Sequence, residues 1–196
     1  MRLVSEVVRV VLAAGVARRF GSAKLLATFD GRTLLARALD ACGDAPSIVV
    51  ASHEVALHVA ASTKRRVIIN TEPERGMTHS LRLALGCLSA DAAVAVLLAD
   101  LPYVTSALVD RVVACYGPQI DIVAPEHDGR PAHPVVLGPR ACSLLGGLAD
   151  GDTLRALRND PRLIRVAMPI DDVGAIMDVD SPADLARAAA WNQSPT

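Results

Sequence analysis

Short apolar runs alternate along the chain with stretches in which apolar residues recur every three or four positions. Runs of four to eight apolar residues are typical of buried strands, and the second spacing is typical of helices with one buried face. The predicted strands are 7–14, 47–51, 66–70, 92–99, 120–124, 133–137 and 163–167. The predicted helices are 33–42, 54–62, 80–88, 106–115, 141–158 and 182–191, the fifth of them interrupted by Gly146-Gly147 and Asp150-Gly151.

This alternation of strands and helices predicts an α/β domain with a mostly parallel sheet. The run AAVAVLLA at 92–99 is apolar throughout, which is typical of a central strand covered on both faces. The 196 residues suit a single domain, because no repeat, low-complexity tract or linker divides them, and residues 192–196 are predicted to be a frayed tail. In such sheets ligands bind beyond the carboxyl ends of the strands, so polar residues there are the first candidates for a site.

Composition narrows the classes of protein that fit. Hydrophobic residues make up 52% of the chain and charged residues 21%, which is a globular composition. The 20 basic and 21 acidic side chains leave a net charge of −1, which gives no reason to expect a nucleic-acid or membrane surface. The four cysteines lie far apart without Cys-x-x-Cys spacing, which argues against zinc and against a disulfide framework. No signal peptide or membrane-spanning run is predicted, so a cytoplasmic location is expected.

The first candidate site follows the first predicted strand, in the segment VVLAAGVARRFGSAKLL at 10–26. Its apolar run ends at Gly15, where the absence of a Cβ lets backbone N–H groups approach a ligand closely. Arg18, Arg19 and Lys24 follow and would neutralise negative charge. The segment therefore predicts an anion-binding loop, for which a triphosphate is the obvious ligand.

Carboxylates follow two further extended segments. Asp100 comes directly after the fourth predicted strand and could be a metal ligand or a helix cap; Thr105-Ser106 suits the cap better, which favours the metal. Asp178 and Asp180 stand two residues apart and so point the same way, although Asp180 could instead be a turn residue ahead of the last helix. Together the three aspartates offer the hard oxygen ligands that Mg²⁺ prefers beside phosphate oxygens.

An anion-binding loop, carboxylates suited to magnesium and an α/β sheet together indicate nucleotide chemistry. The loop lacks the Gly-x-x-x-x-Gly-Lys-Ser/Thr pattern of phosphate loops. It also lacks the Gly-x-Gly-x-x-Gly pattern of dinucleotide-binding folds, since Gly15 is followed by Val-Ala-Arg-Arg. The kinase and dehydrogenase classes are therefore disfavoured.

Four segments resemble the MobA-like nucleotidyltransferases, the group that includes the molybdenum-cofactor cytidylyl- and guanylyltransferases. LAAGVARRFGSAK at 12–24 is similar to that family's Leu-Ala-Ala-Gly-x-x-x-Arg-[Met/Phe]-Gly-x-x-Lys segment. LLADLPYVT at 97–105 is similar to its Leu-x-Asp-x-Pro-x-Val-Thr segment. RGMTHSLRLAL at 75–85 and DVDSPADL at 178–185 resemble two more, and all four occur in the family's order.

The resemblance implies a single three-layer domain with a Rossmann-like central sheet, of the nucleotide-diphospho-sugar transferase type. It also implies a reaction in which a phosphate oxygen of an acceptor attacks the α-phosphorus of an NTP and releases pyrophosphate, with Mg²⁺ as cofactor. The implied acceptor is molybdopterin or molybdenum cofactor, and the implied partner is a molybdoenzyme that receives the cofactor. GMTHSL at 76–81 looks closer to the cytidylyltransferases than to the guanylyltransferases, whose loop usually carries Gly-Pro-Leu-Ala-Gly, so CTP is favoured over GTP.

The matched positions also imply residue roles. Catalysis falls to Arg19, Lys24 and Asp100, of which the two cations would hold the triphosphate while Arg18 faces solvent. Mg²⁺ would be bound by Asp100, Asp178 and Asp180. The nucleotide would contact Leu12, Ala13, Ala14, Gly15, Arg19, Lys24, Ser80 and Arg82, and His133 would line the acceptor site. Ser80 and His133 have structural alternatives, because Ser80 could cap its helix and His133 could pack in the interior.

Two other functions fit the same features. A sugar-phosphate or other small-phosphate nucleotidyltransferase would use the same loop, and a non-catalytic carrier of molybdenum cofactor would keep the same fold. The presence of both the cations and the three aspartates argues against the carrier, which has little need of a metal site. GRPAHPVVL at 129–137 and ADGDTLRAL at 149–157 depart from the family's pattern in the region that would contact the acceptor.

Overall fold

The computed structural model of the protein describes residues 6–15, 20, 24–62 and 65–192. Within them the strands are β1 (Val8–Ala13), β2 (Thr28–Phe29), β3 (Arg32–Thr33), β4 (Ser47–Ala51), β5 (Arg66–Ile69), β6 (Val94–Leu98), β7 (Ile122–His127), β8 (Arg130–Pro131), β9 (Val135–Leu137) and β10 (Arg165–Pro169). The helices are α1 (Leu34–Ala41), α2 (His53–Ser62), α3 (Gly76–Leu85), α4 (Ser106–Ala114), α5 (Pro139–Leu145), α6 (Leu154–Arg158) and α7 (Pro182–Asn192). Short 3-10 helices cover Lys24–Leu26, Pro73–Arg75 and Val173–Ile176. None of the described helices has the length and apolar character needed to cross a membrane.

Eight of the described strands form a central sheet in the order β5-β4-β1-β6-β9-β7-β10, in which the short β8 pairs with the end of β7. The strands β2 and β3 form a separate antiparallel pair. Neighbouring strands of the central sheet are parallel, except that β9 runs antiparallel to both β6 and β7 and β8 runs antiparallel to β7. The mostly parallel α/β sheet predicted from the sequence is therefore confirmed. Because β1 lies between β4 and β6, the chain reverses its winding direction there, and ligand crevices form beyond the carboxyl ends of strands at such points.

Helices cover both faces of the sheet. Because side chains alternate along a strand, Val11 of β1 belongs to one buried apolar cluster and Val10 belongs to the other. The first cluster includes apolar residues of α1, α2, α4 and α7, and the second includes those of α3, α5 and α6. These three layers confirm the predicted architecture. At the end of the described chain, the ring of Trp191 packs 5.8 Å from that of Tyr103 and attaches α7 to the body of the domain.

Two helices differ from their predicted bounds by more than one residue. The helix predicted at 80–88 begins at Gly76 and ends at Leu85, so Ser80 lies inside α3 and the prediction that it could cap this helix is wrong. The helix starts early because the 3-10 turn Pro73–Arg75 continues directly into it through Gly76, whose φ of 87° favours glycine.

The helix predicted over 141–158 is two helices, α5 and α6. The Gly146-Gly147 and Asp150-Gly151 pairs that interrupt the apolar pattern lie between them, and Thr153 caps α6 by accepting a hydrogen bond from the N–H of Arg155. Glycine has a low helix propensity, which explains the break. The tail at 192–196 was predicted to be frayed, and the part of it after Asn192 lies outside the described residues.

Candidate active site

A cleft of about 580 Å³ opens beyond the carboxyl ends of β1 and β6, where the winding of the sheet reverses. Its walls come from the end of β1, from Lys24-Leu25, from the segment 73–80 and from residues that follow β6. The predicted site residues that line it are Leu12, Ala13, Ala14, Gly15, Lys24, Ser80, Asp100 and Asp180. The cleft therefore brings together side chains from distant parts of the sequence at the edge of the sheet where a site was expected.

Lys24 lies among the charged groups of this cleft. Its ammonium nitrogen Nζ donates hydrogen bonds to Oδ2 of Asp100 at 3.0 Å and to Oδ1 of Asp180 at 2.7 Å. The side chain of Lys24 is 10% exposed, whereas those of Asp100 and Asp180 are 30% and 53% exposed. Burial alone would lower the pKa of Lys24, but the two carboxylates outweigh burial and hold this pKa above its ordinary value. Lys24 is therefore a positive charge held between two carboxylates.

Backbone hydrogen bonds explain why these side chains meet. Leu12 of β1 is in register with Leu98 of β6, and the N–H of Ala99 donates to the carbonyl of Leu12, so the residues after the two strands emerge side by side. The N–H of Val179 donates to the carbonyl of Asp100 at 3.0 Å. This bond attaches the segment before α7 to the end of β6 and brings the second carboxylate to the cleft.

The two aspartates that flank the buried Val179 differ in their surroundings. Asp180 lines the cleft and accepts a hydrogen bond from Lys24, whereas Asp178 does not belong to the lining of the cleft. Partial burial, followed by the negative charges of Asp180 and Asp100, raises the pKa of Asp178. Among the described residues, no three His, Cys, Asp or Glu side chains are grouped as a metal site. The structure therefore brings together two of the three predicted metal ligands, with Lys24 between them.

Ser80 and Arg82 occupy the same helix but have different environments. Ser80 lines the cleft, and its hydroxyl accepts a hydrogen bond from Nδ2 of Asn70 at 2.9 Å. Asn70 is 2% exposed, and its Oδ1 accepts from the N–H of Glu72 at 2.8 Å, so this amide orients both Ser80 and the start of the 73–80 wall. Arg82 does not line the cleft, because its guanidinium pairs with Asp150 at 2.7 Å.

His133 lies in a second cavity of about 180 Å³, and Met77 lines both this cavity and the cleft. One ring nitrogen, Nδ1, is 3.3 Å from the carbonyl oxygen of Val96. Burial, reinforced by the positive charge of Arg158, lowers the pKa of His133. Arg155 and Arg158 also line this cavity, and no Asp or Glu is among its described lining residues.

Two of the residues discussed from the sequence lie outside the described part of the chain, and some residues that line the cleft were not predicted. Arg19, predicted to hold the triphosphate, and Arg18, predicted to face solvent, lie outside the described residues. Pro73 and Glu74 line the cleft but were not predicted to do so. The signal that could have found them is the Pro-Glu-Arg-Gly sequence just before the predicted helix, because Pro and Gly together indicate a turn that enters a site.

Comparison with solved structures shows the same fold in other proteins. Rv0371c from Mycobacterium tuberculosis H37Rv superposes with a TM-score of 0.79 at 25% sequence identity, over 95% of this chain and 99% of that chain. A complex of Rv0371c with manganese superposes with a TM-score of 0.78 at 23% identity, over 95% and 99% of the two chains. Molybdopterin-guanine dinucleotide biosynthesis protein A from Archaeoglobus fulgidus gives a TM-score of 0.72 at 20% identity, over 94% and 98%.

Comparison with protein families shows to which family the chain belongs. The sequence pattern of the MobA-like NTP transferase domain matches residues 9–166, which include Lys24 and Asp100. Asp180 lies beyond the matched range, and its position in the cleft is seen in the structure alone. No curated protein matches the sequence. The chain belongs to the MobA-like NTP transferase family, a family of nucleotidyltransferases.

Proposed function

We propose that the protein transfers a nucleoside monophosphate from an NTP to a phosphorylated small-molecule acceptor and releases pyrophosphate. The donor in this proposal is CTP in preference to GTP, and the acceptor is molybdopterin or molybdenum cofactor. The observation that carries the proposal is the position of Lys24, whose Nζ lies 3.0 Å from Asp100 and 2.7 Å from Asp180 in a cleft at the reversal point of the sheet. A cation and two carboxylates in one cleft suit a triphosphate with a bound metal.

The reaction joins two anions, so catalysis depends mainly on positioning and on neutralising charge. A phosphate oxygen of the acceptor attacks the α-phosphorus in line, the bond from that phosphorus to the bridging oxygen of the β-phosphate breaks, and pyrophosphate leaves. Lys24 would stabilise the charge that develops on the departing pyrophosphate, as would Arg19. The backbone at Ala14-Gly15 lines the cleft and would lie against the phosphates. No strong general base is required, since a phosphate monoester is already ionised near pH 7.

Asp100 and Asp180 fit a divalent cation. Their oxygens are hard donors of the kind that Mg²⁺ prefers, and both already hold a positive charge, the ammonium of Lys24, at hydrogen-bonding distance. When bound there, Mg²⁺ would supply charge neutralisation and a template for phosphate oxygens. The manganese complex of Rv0371c supports a divalent cation in this fold. Asp178, the third predicted ligand, does not line the cleft, and its part in binding the metal stays a prediction.

The second cavity is the proposed binding place of the acceptor. It contains Arg155 and Arg158, whose guanidinium groups suit an anionic group, together with His133 and an apolar wall that includes Val135 and Leu137. Met77 lines both this cavity and the cleft, so the two spaces adjoin at this residue. Two reactants bound in the two spaces would therefore approach each other at Met77.

The choice of substrates rests on resemblance. Gly76 and Met77 of the GMTHSL segment, which looks closer to the cytidylyltransferases, line the cleft and support CTP. The four family segments support molybdopterin, as does the likeness of the fold to molybdopterin-guanine dinucleotide biosynthesis protein A. A molybdoenzyme that receives the finished cofactor is the proposed protein partner.

A pyrophosphate-release screen tests this proposal. Each of the four common NTPs is combined with molybdopterin and with several sugar phosphates, in the presence of Mg²⁺. The expected result is release with CTP and molybdopterin above every other pair. Release with a sugar phosphate alone would mean that the acceptor is a sugar phosphate and not molybdopterin. Tight binding of molybdenum cofactor with no release from any pair would overturn the proposal in favour of a carrier.

A further inference from the structure

A turn at residues 148–152, between α5 and α6, is fastened to the wall of the nucleotide cleft. The N–H of Gly151 donates to the carbonyl of Arg75 at 3.2 Å, and the hydroxyl of Thr78 donates to the carbonyl of Asp152. The guanidinium of Arg82 donates to the carbonyl of Leu148. These bonds join two segments that are about 70 residues apart in the sequence, a distance that gives them no local reason to meet.

Asp150 provides the charged part of this fastening. Its Oδ2 accepts from Nε of Arg75 and its Oδ1 accepts from Nη1 of Arg82, each at 2.7 Å. The two hydrogen bonds lower the pKa of Asp150, and the one from Arg75 has the larger effect. The carboxylate is therefore charged throughout the neutral range. Arg75 is anchored a second time through Glu72, at 3.0 Å.

The two segments that these hydrogen bonds join, the start of α3 and the 148–152 turn, adjoin different spaces. On one side, Gly76 and Met77 line the nucleotide cleft. On the other side, Thr153 and Arg155, directly after the turn, line the second cavity. A shift of the turn relative to α3 would therefore move the walls of the two spaces relative to each other. Asp150 itself lines neither space.

We propose that Asp150 is a positioning residue, which holds the 148–152 turn against α3 and thereby sets the distance between donor and acceptor. This inference rests on the proposed function, since it assigns the two reactants to the two spaces. Displacements of about 1 Å from the reactive geometry can reduce a rate by about 100-fold, so a surface ion pair in this place affects turnover far more than stability. Exposed ion pairs contribute little to folding stability, and the side chain of Asp150 is 39% exposed.

The test compares Asp150→Asn with Asp40→Asn. Asp40 also forms an ion pair with an arginine, Arg32 at 2.8 Å, but it lies on α1 and lines neither space. For Asp150→Asn we expect kcat to fall about 10- to 100-fold, with the KM for the NTP within about twofold and the Tm within about 2 °C of the wild type. Asp40→Asn should match the wild type in all three, and Asp150→Glu should recover most of kcat.

Salt gives an independent measurement, because it screens exposed ion pairs. Raising NaCl from 0.1 M to 0.5 M should lower kcat of the wild type towards that of Asp150→Asn and change the variant much less. A kcat for Asp150→Asn within twofold of the wild type would overturn the proposal. So would a loss confined to the KM for the NTP, which would make Asp150 a nucleotide-binding residue.

Amide hydrogen exchange separates this inference from the proposed function and needs no substrate. In Asp150→Asn the N–H of Gly151 should exchange faster than in the wild type and in Asp40→Asn, while residues of β1 exchange equally in all three. If no substrate pair gives transfer but this exchange is faster, the proposed function fails and the fastening stands. Unchanged exchange at Gly151 would overturn the fastening itself, whatever the activity.

Discussion

The cleft and the second cavity share Met77 but carry different charges. The cleft is larger, about 580 Å³ against about 180 Å³, and combines a buried ammonium with two carboxylates. The second cavity combines Arg155 and Arg158 with His133, and its described lining includes no carboxylate. A space with both signs of charge suits an anion together with a metal, whereas a space with basic groups alone suits an anion without one.

Under the proposed function, this difference would keep the two phosphate-bearing substrates apart. Each space would neutralise negative charge in its own way, so the donor and the acceptor would not compete for the same groups. The difference also separates the effects of mutations, because changes in the cleft should affect chemistry and metal binding, and changes in the second cavity should affect the acceptor alone.

Removing the charged groups of the cleft should have the largest effect. Lys24→Ala and Asp100→Ala should each reduce Mg²⁺-dependent pyrophosphate release by about 10³-fold, because each removes a group aimed at charge that develops in the reaction. Circular dichroism should show both variants folded. Wild-type activity in either folded variant would contradict the site assignment.

Substitutions of the two aspartates beside Val179 should have different effects on the rate. Asp180→Ala should reduce pyrophosphate release by about 10- to 100-fold and weaken Mn²⁺ binding, since it removes a charged partner of Lys24 from the cleft. Asp178→Ala should change the rate by less than about fivefold, because Asp178 does not line the cleft. Steady-state rates and Mn²⁺ titration by electron paramagnetic resonance measure both. The reverse order of the two effects would assign the metal to Asp178.

A change in the second cavity should act on the acceptor alone. Arg158→Ala should raise the KM for the acceptor about tenfold, the value of one charged hydrogen bond, and leave the KM for the NTP unchanged. Arg162→Ala is the matched control, because Arg162 pairs with Asp160 at 2.6 Å and lines neither space. An equal rise of both KM values in Arg158→Ala would mean that the two spaces are one site.

The smallest effect concerns pH. The pKa of His133 is lowered by burial and by Arg158, so below about pH 6.5 the unfolded chain binds a proton that the folded chain does not. The free energy of unfolding should therefore fall as the pH is lowered from 7 to 5. Urea denaturation should show a smaller fall in His133→Gln, whereas His53→Gln, at the exposed start of α2, should keep the wild-type slope. Equal slopes in all three proteins would show that His133 is protonated as easily as in the unfolded chain.

The parts of the fold that were predictable are those with a local pattern. The strand SIVVA was predicted at 47–51 and is β4, Ser47–Ala51, because a buried parallel strand is apolar along its whole length. The rule that ligands bind beyond the carboxyl ends of strands, together with the family resemblance, placed Lys24 and Asp100 in one cleft, and the structure brings them within 3.0 Å.

The parts that were missed depend on long-range contacts or on backbone conformation. The pairing of Arg82 with Asp150 joins residues 68 positions apart, and no local pattern marks it, so it was not predicted. The early start of α3 depends on the positive φ of Gly76, which the apolar spacing does not report. The distinction between Asp178 and Asp180 depends on the hydrogen bond from Val179 to Asp100, which only the folded chain shows.

The position of that hydrogen bond in the sequence also determines when the charges of the cleft are complete. Asp100 follows Lys24 by 76 residues and Asp180 follows it by 156, so Asp180 is the last of the three to be synthesised. A chain that stops before Val179 lacks both the hydrogen bond to Asp100 and the second carboxylate beside Lys24. The charged group around Lys24 is therefore complete only when almost the whole domain has been synthesised.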